Sequence, residues 1–398
     1  MLLGQSRWSL LDRENPCPGR GNLSGWRVRH ESSSRPTRPP FPDPDKAPMI
    51  EPFASRPAPK LVFGPGSLRE LPATVRELGA TAVFLVSDAG IARAGHLDTA
   101  RRLLESAGLP VAVFADTHEN PTESDAAACC AAAQRERFDC FVALGGGSSL
   151  DTAKACNFLL TNGGAMRDYQ GYGKATQPML PLVAVPTTAG TGSECQSYAL
   201  VSRDDTHEKM ACGDPKARAA TALLDPDLTA TQPRSVAILT GLDALAHALE
   251  SAVCTRRSPL SSLYSESAFR HLARALPSLI AGRAAEAERA DMQLGAALAG
   301  LAIENSMLGG AHASANPLTA RHGVVHGRAV AAMLPHVMRF NAARPEVAAI
   351  YGRLSAVLQE EGVSAAPLLD WVGQLVASCA FPPLDGAAFD CAALAREA

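Results

Sequence analysis

Between residues 61 and 186, short apolar runs alternate with amphipathic stretches, and this alternation restricts the possible folds more than any other feature of the chain. Segments 82–86, 111–115 and 138–144 read as strands, while 97–107 and 123–137 carry helical spacing. Two parallel strands need a crossover long enough to hold a helix, so strands separated by helices predict a parallel sheet covered on both faces. After Pro233 the pattern changes. Segments 262–281 and 286–307 keep helical periodicity with few β-branched residues. The expected fold is an α/β N-terminal domain over 49–232 followed by an all-α C-terminal domain over 233–398. At 398 residues and 46% hydrophobic content, the chain is long enough for two buried cores.

Residues 1–48 differ from this body. They cluster Pro, Arg and Ser (ESSSRPTRPPFPDPDKAP) without apolar periodicity, which predicts a disordered leader. Met49 sits at the change of composition. Two readings stand equally: the natural start lies there, or the leader is a genuine flexible tail. The last residues, FDCAALAREA, form a helix-like pattern with no stop signal, which is consistent with a truncated end.

The 37 basic and 40 acidic residues leave a net charge of -3, and neither sign gathers into a block suited to nucleic acid or a charged membrane. A small-molecule partner is expected instead. Ten cysteines without a CxxC pair suit reduced thiols in a cytosol. No uninterrupted apolar run approaches the ~18 residues of a membrane span, and no signal-peptide pattern opens the chain. The expectation is a soluble, cytoplasmic protein.

Segment 138–151, FDCFVALGGGSSLD, places three glycines between a buried strand and a helix, with Ser148 or Ser149 as N-cap. Gly146 and Gly147 let the backbone approach a ligand closely, and free N–H groups at the helix start attract phosphate. A structural turn without a ligand would look much the same. A second turn, PTTAGTGSE, follows the apolar run 180–185 and offers Thr187, Thr188 and Ser193 hydroxyls beside bare backbone. Two such loops at the carboxyl ends of strands in one sheet point to a nucleotide cleft. Asp88 ends the first strand, where its carboxylate either accepts ribose hydroxyls and repels a 2′-phosphate or simply caps the next helix.

In GLDALAHALES, Asp243 and His247 stand four residues apart on one helical stripe with Glu250, beside the apolar Leu242, Leu245 and Leu249. A half-buried carboxylate and imidazole need a partner, and a plain Asp–His hydrogen bond would serve as well as a metal. His312 follows a Gly-Gly pair, and His326 closes RHGVVHG. Asp243, His247, His312 and His326 together offer three imidazoles and one carboxylate, a set suited to Fe²⁺ or Zn²⁺ with a position left open. His322 competes with His326, and spacing does not separate them.

From about Pro59 onward the chain resembles the iron-containing (group III) alcohol dehydrogenase family, through FGPGSL, GGGSSLDTAKA, PTTAGTGSE, LLDPDLT, GLDALAHALES and LPHVMRFN in the family's order. The resemblance implies a dehydroquinate-synthase-like fold, with a dinucleotide on the α/β domain and a metal held by the helical one. Family ligand positions fall on Asp243, His247, His312 and His326, which favours His326 over His322. Cofactor positions fall on Asp88, Gly146, Gly147, Ser148, Asp151, Thr187, Thr188 and Lys209, and Asp88 resembles the acidic residue of NAD-preferring members. Fe²⁺ is implied as the metal, with Zn²⁺ as the alternative, and a homodimer as the assembly. The chain departs at Asn316, where many members carry a second histidine four residues after the third ligand; Asn hydrogen-bonds but does not exchange a proton near neutral pH. The implied reaction is hydride transfer between nicotinamide and an alcohol or aldehyde, with His312 and Asn316 nearest the reacting oxygen. A dehydroquinate-synthase-like lyase, also dependent on NAD and a metal, is the alternative. It would need Lys and Arg around a phosphate leaving group, and segment 241–327 shows few basic residues near the ligands.

Overall fold

The computed structural model describes residues 52–384. The leader, the composition change at Met49 and the helix-like C-terminal pattern lie outside the described residues.

The α/β half runs β1 (Lys60–Phe63), α1 (Leu71–Glu77), β2 (Val83–Val86), α2 (Ala89–Arg93), α3 (His96–Ser106), β3 (Val111–Phe114), α4 (Glu123–Ala133), β4 (Cys140–Gly145), α5 (Gly147–Asn162), β5 (Gly171–Tyr172), β6 (Leu182–Pro186), β7 (Tyr198–Ser202), β8 (Lys209–Gly213) and β9 (Thr221–Leu224). Its main sheet is parallel throughout, in the order β1-β9-β6-β4-β2-β3. β2, β4 and β6 are buried along their whole length, as strands covered on both faces must be. The chain passes from β2 outward to β3, then returns to β4 on β2's other side. That reversal opens a crevice beyond the carboxyl ends of β2 and β4, where ligands of open α/β sheets bind. Asp88 and Gly146 stand at those two ends.

A small second sheet, order β5-β8-β7, was not anticipated. Its β7–β8 hairpin pairs Tyr198 with Gly213 and Ser202 with Lys209, so Lys209 is carried by a strand beside the main sheet rather than by a βα turn.

The rest is helical, as expected: α6 (Arg234–Val253), α7 (Pro259–Ile280), α8 (Glu286–Glu304), α9 (Gly310–His322), α10 (His326–Asn341), α11 (Pro345–Glu360) and α12 (Leu368–Ser378). Leu242, Leu245 and Leu249 of α6 are buried with Phe269, Leu272 and Leu276 of α7 and Leu334 of α10. Each such side chain contributes about 1.5–3 kcal/mol by leaving water. By length and mean hydropathy α6 could cross a membrane, yet it is the core helix of this bundle and carries Asp243, His247 and Glu250 on its buried surface. Where α8 crosses the PTTAGTGSE turn, a Cβ on Gly192 would lie 2.6 Å from Gly300 Cα, and Gly192 has φ 64°. Both the contact and the left-handed backbone require glycine there.

Candidate functional site

One cavity of about 780 Å³ runs from the crevice of the sheet to the buried helices, and every residue singled out for cofactor or metal lines it. On the sheet side, Gly145 takes φ 153°, and a Cβ there would meet Ser149 Oγ at 2.4 Å, so the turn into α5 closes only with glycine. A Cβ on Gly146 would approach Thr188 Cγ2 to 3.3 Å, and one on Gly147 would reach Thr191 to 2.8 Å. The two glycine-rich loops therefore face each other across a slot kept open by missing side chains. The first-turn N–H groups of α5 lie at this slot, and Ser148 and Thr187 complete its rim. The donors and the width suit a pyrophosphate.

Asp88 caps the next helix, one of the two readings its sequence position allowed. Its Oδ1 accepts from the Gly90 and Ile91 N–H groups, capping α2, and its Oδ2 accepts from Ser149 Oγ at 3.0 Å. The carboxylate is thereby fixed on the cavity wall. Asp151 accepts from Ser193 Oγ at 2.7 Å, and burial pushes its carboxyl up. Lys209 also lines the cavity; burial lowers its ammonium, against the attraction of Asp151, Asp243 and Glu119.

A residue the sequence did not single out holds the second loop. Lys154 is fully buried in α5 and donates to Ser193 O at 2.6 Å and to Ser193 Oγ, Gln196 O and Tyr198 O at 2.9 Å each. In sequence it looks like any helical lysine, which is normally solvated.

At the far end of the cavity, α6 supplies Asp243 and His247, α9 supplies His312, and His326 is the first residue of α10. Three imidazole Nε2 atoms close on a single oxygen, Asp243 Oδ1: His312 at 3.1 Å, His247 at 3.7 Å and His326 at 3.8 Å. Donors around a common tetrahedral ion at ~2.1 Å would be separated by roughly 3.4 Å, the middle of that range. Only the His312 contact among the three is short enough for a hydrogen bond. One carboxylate oxygen does not satisfy the buried imidazoles of His247 and His312 and the half-buried ring of His326, whereas a divalent cation among them does. Asp243, His247 and His312 bring their ligand atoms within 4.8 Å of one another and fit a metal, while His326 stands at the edge of this set, 3.8 Å from the Asp243 oxygen. His322 lies exposed at the end of α9 and is not among the residues that line the cavity.

The electrostatics follow from the crowding. Burial would raise the Asp243 carboxyl, but His247, His312 and His326 hold it below its ordinary value. Burial lowers His247, and it lowers His326 to about 4. For His312 burial is outweighed by Asp243 and Glu250 on either side, which lift the ring to about 9. Neutral His247 and His326 present lone pairs suited to a cation.

Glu250 takes a part that its place on the α6 stripe only hinted at. Its Oε1 accepts from Ala311 N at 2.6 Å, and its Oε2 accepts from Gly309 N at 3.1 Å and His312 Nδ1 at 2.5 Å. An acceptor at Nδ1 holds a ring proton there, so Nε2, which donates to Asp243 in the absence of an ion, is the nitrogen free to exchange its proton for a cation. Asn316, one turn beyond His312 on α9, also lines the cavity. Its side-chain amide has no hydrogen-bond partner among the described residues.

Comparison with known proteins bears on both halves. The family profile "Iron-containing alcohol dehydrogenase" matches residues 58–226, and the profile "Fe-containing alcohol dehydrogenase family, C-terminal" matches 237–380. The chain is 33% identical to alcohol dehydrogenase 4 of Schizosaccharomyces pombe over 79% of its own length and 75% of the relative's. It is 34% identical to the NAD-dependent methanol dehydrogenase of Bacillus methanolicus over 71% of its length and 74% of that protein's. Among solved structures, a 1,3-propanediol oxidoreductase superposes with a TM-score of 0.75 at 29% identity, covering 84% of this chain and 86% of the other.

Proposed function

The chain belongs to the iron-containing alcohol dehydrogenase family, and from this premise we propose that Asp243, His247, His312 and His326 hold its metal, with Fe²⁺ favoured over Zn²⁺. The protein is a metal-dependent, NAD-linked alcohol dehydrogenase or aldehyde reductase, and the lyase alternative is not favoured. One observation carries the assignment of the ligands: three imidazole nitrogens, two of them on buried rings, converge on one carboxylate oxygen at the inner end of a cleft whose outer end is lined by α5's N-terminus and Asp88.

When bound, the divalent ion makes an alcohol oxygen more acidic or polarises an aldehyde carbonyl, and the nicotinamide ring accepts or returns the hydride. The protein's part is to bind, aim and exclude water. Gly146, Gly147 and Ser148 offer backbone N–H groups to the pyrophosphate, with Thr187 and Thr188 on the facing loop. Asp151 and Lys209 line the passage between that slot and the ligands. Asp88 accepts from ribose hydroxyls and opposes a 2′-phosphate, which favours NAD over NADP. Glu250 aims His312, and Asn316 offers its amide to the reacting oxygen without storing a proton.

His247→Ala tests the assignment. Metal content and alcohol oxidation should both collapse while NADH binding persists; an active, metal-replete variant refutes it. The assembly favoured by the family is a homodimer, tested by light scattering. Eight free, unpaired cysteines among the described residues support a reducing cytoplasmic setting.

A further inference from the structure

The slot between the two glycine-rich loops has unequal walls. One is the first turn of α5, which is part of a continuous helix from Gly147 to Asn162. The other is the PTTAGTGSE turn, where Gly190 and Gly192 make ordering the backbone costly in entropy. Those two glycines stand against Thr240 of α6 and Gly300 of α8 through bare backbone, which offers no side chain to grip.

Lys154 ties the second wall to the first. It lies two turns into α5, and its buried ammonium meets the carbonyls of Ser193, Gln196 and Tyr198 and the Ser193 hydroxyl, four acceptors for three protons. Ser197, between two of those carbonyls, is held in turn by Glu304 of α8, which accepts from its N–H at 3.1 Å and its hydroxyl at 2.6 Å. The Ser193 hydroxyl has one proton; with Lys154 donating into its oxygen, that proton goes to Asp151 Oδ1 at 2.7 Å. Asp151 lines the cavity, so the lysine orders a side chain at the slot as well as the backbone. Burial lowers the ammonium, and Asp151, Glu194 and Glu304 act to keep it charged. An apolar side chain of similar length would fill this space without the desolvation penalty, but only an ammonium draws three carbonyls to one point.

We propose that Lys154 is a positioning residue for the dinucleotide: it locks the second loop at a fixed distance from the first turn of α5, so that the slot stands formed before the nucleotide enters. This rests on the reading that the slot takes the cofactor's pyrophosphate. A slot formed in advance spares the nucleotide the entropy of ordering a glycine-containing loop, which tightens binding without any contact between the lysine and the ligand. Thr187 and Thr188 both ride on this loop, and each hydrogen bond misplaced when it slackens is worth about two- to tenfold in affinity.

The test is Lys154→Met, close in length and without donors, in the metal-loaded enzyme. NADH binding, followed by fluorescence, should weaken about tenfold or more, with KM for NAD rising in step. Metal affinity, KM for a primary alcohol and kcat at saturating NAD should stay within about threefold, because the metal donors sit on helices that Lys154 does not hold. A lysine that served stability alone would lower the urea midpoint and leave NADH binding by the folded protein unchanged, and that result overturns the proposal. Hydrogen exchange in the parent enzyme gives a second readout that does not depend on the variant folding. The Cys195 and Gln196 amides, bonded to Gly192 O and Ser193 O, should exchange as slowly without NADH as with it, within about threefold. Protection gained only when NADH binds overturns the proposal. A parent that binds no NADH takes down the nucleotide reading and this proposal with it, whereas a parent and a Lys154→Met protein of equal NADH affinity overturn this proposal and leave that reading standing.

Discussion

Replacing Glu250 with Gln removes one negative charge from behind the metal site while keeping its volume. Three donors point at the native carboxylate: the Gly309 and Ala311 backbone N–H groups and His312 Nδ1. A carboxamide offers an acceptor oxygen on one side and an NH₂ on the other, so at least one donor is left facing a donor. A hydrogen bond to a charged group contributes about 1.5–3 kcal/mol. At about 1.4 kcal/mol per decade this corresponds to roughly a 10- to 100-fold loss of metal affinity, the range found when a carboxylate behind a ligating histidine is removed. The assay is competition for the metal against a chelator of known affinity, with urea denaturation run on the metal-free and loaded forms. Because a bound ion stabilises the folded state by its binding free energy, the stabilisation conferred by saturating metal should shrink by the same 1.5–3 kcal/mol or so. A Glu250→Gln protein that stays folded and binds metal within about threefold of the parent refutes the idea that Glu250 aims His312.

Asp88→Ala removes both a helix cap and the carboxylate proposed to oppose a 2′-phosphate; the expected outcome is a higher ratio of NADP to NAD kcat/KM with about 1 kcal/mol lost in urea denaturation, and an unmoved ratio contradicts it. Gly192→Ala places a Cβ 2.6 Å from Gly300 Cα on a left-handed backbone, so a loss of about 1–3 kcal/mol is expected, and a variant as stable as the parent counts against the crossing. Glu194 is fully buried, and burial lifts its carboxyl from 4.5 to about 7. A raised carboxyl contributes stability below its unfolded pKa and loses it as pH rises through the folded one. Between about pH 4.5 and 7 this group therefore erodes stability by about 3 kcal/mol, and Glu194→Gln should remove that erosion; identical pH profiles for metal-free parent and variant would sink the reasoning.

Much of the fold was legible because the signals were local. The strands 82–86, 111–115 and 138–144 fell where β2, β3 and β4 form, and segments 262–281 and 286–307 fell within or just beyond α7 and α8. Glycine spacing revealed the two facing loops, since Gly145 and Gly147 stand where a side chain would collide. The β7–β8 hairpin was not legible: YALVS and KMACG are joined by RDDTHE, which lacks the Asn-Gly or Asp-Gly signature of a tight turn. Nor was the work of Lys154 and Glu250. Lys154 bonds to a loop some 40 residues onward, and Glu250 meets backbone from a different helix, so neither partner shares a periodicity with the residue it serves. The metal donors lay between these cases. Asp243 and His247 were visible as a helical pair, while their convergence with His312 and His326 depends on how α6, α9 and α10 pack.

The most direct measurement titrates metal-free enzyme with Fe²⁺ under anaerobic conditions while following nicotinamide absorbance with NAD and a primary alcohol. The expected course is no turnover at the start, a linear rise that stops at a single ion per chain, and no rise at all in a His247→Ala protein that still binds NADH. Alcohol oxidation by the metal-free protein, or a full response from the His247→Ala variant, would contradict the site at Asp243, His247, His312 and His326.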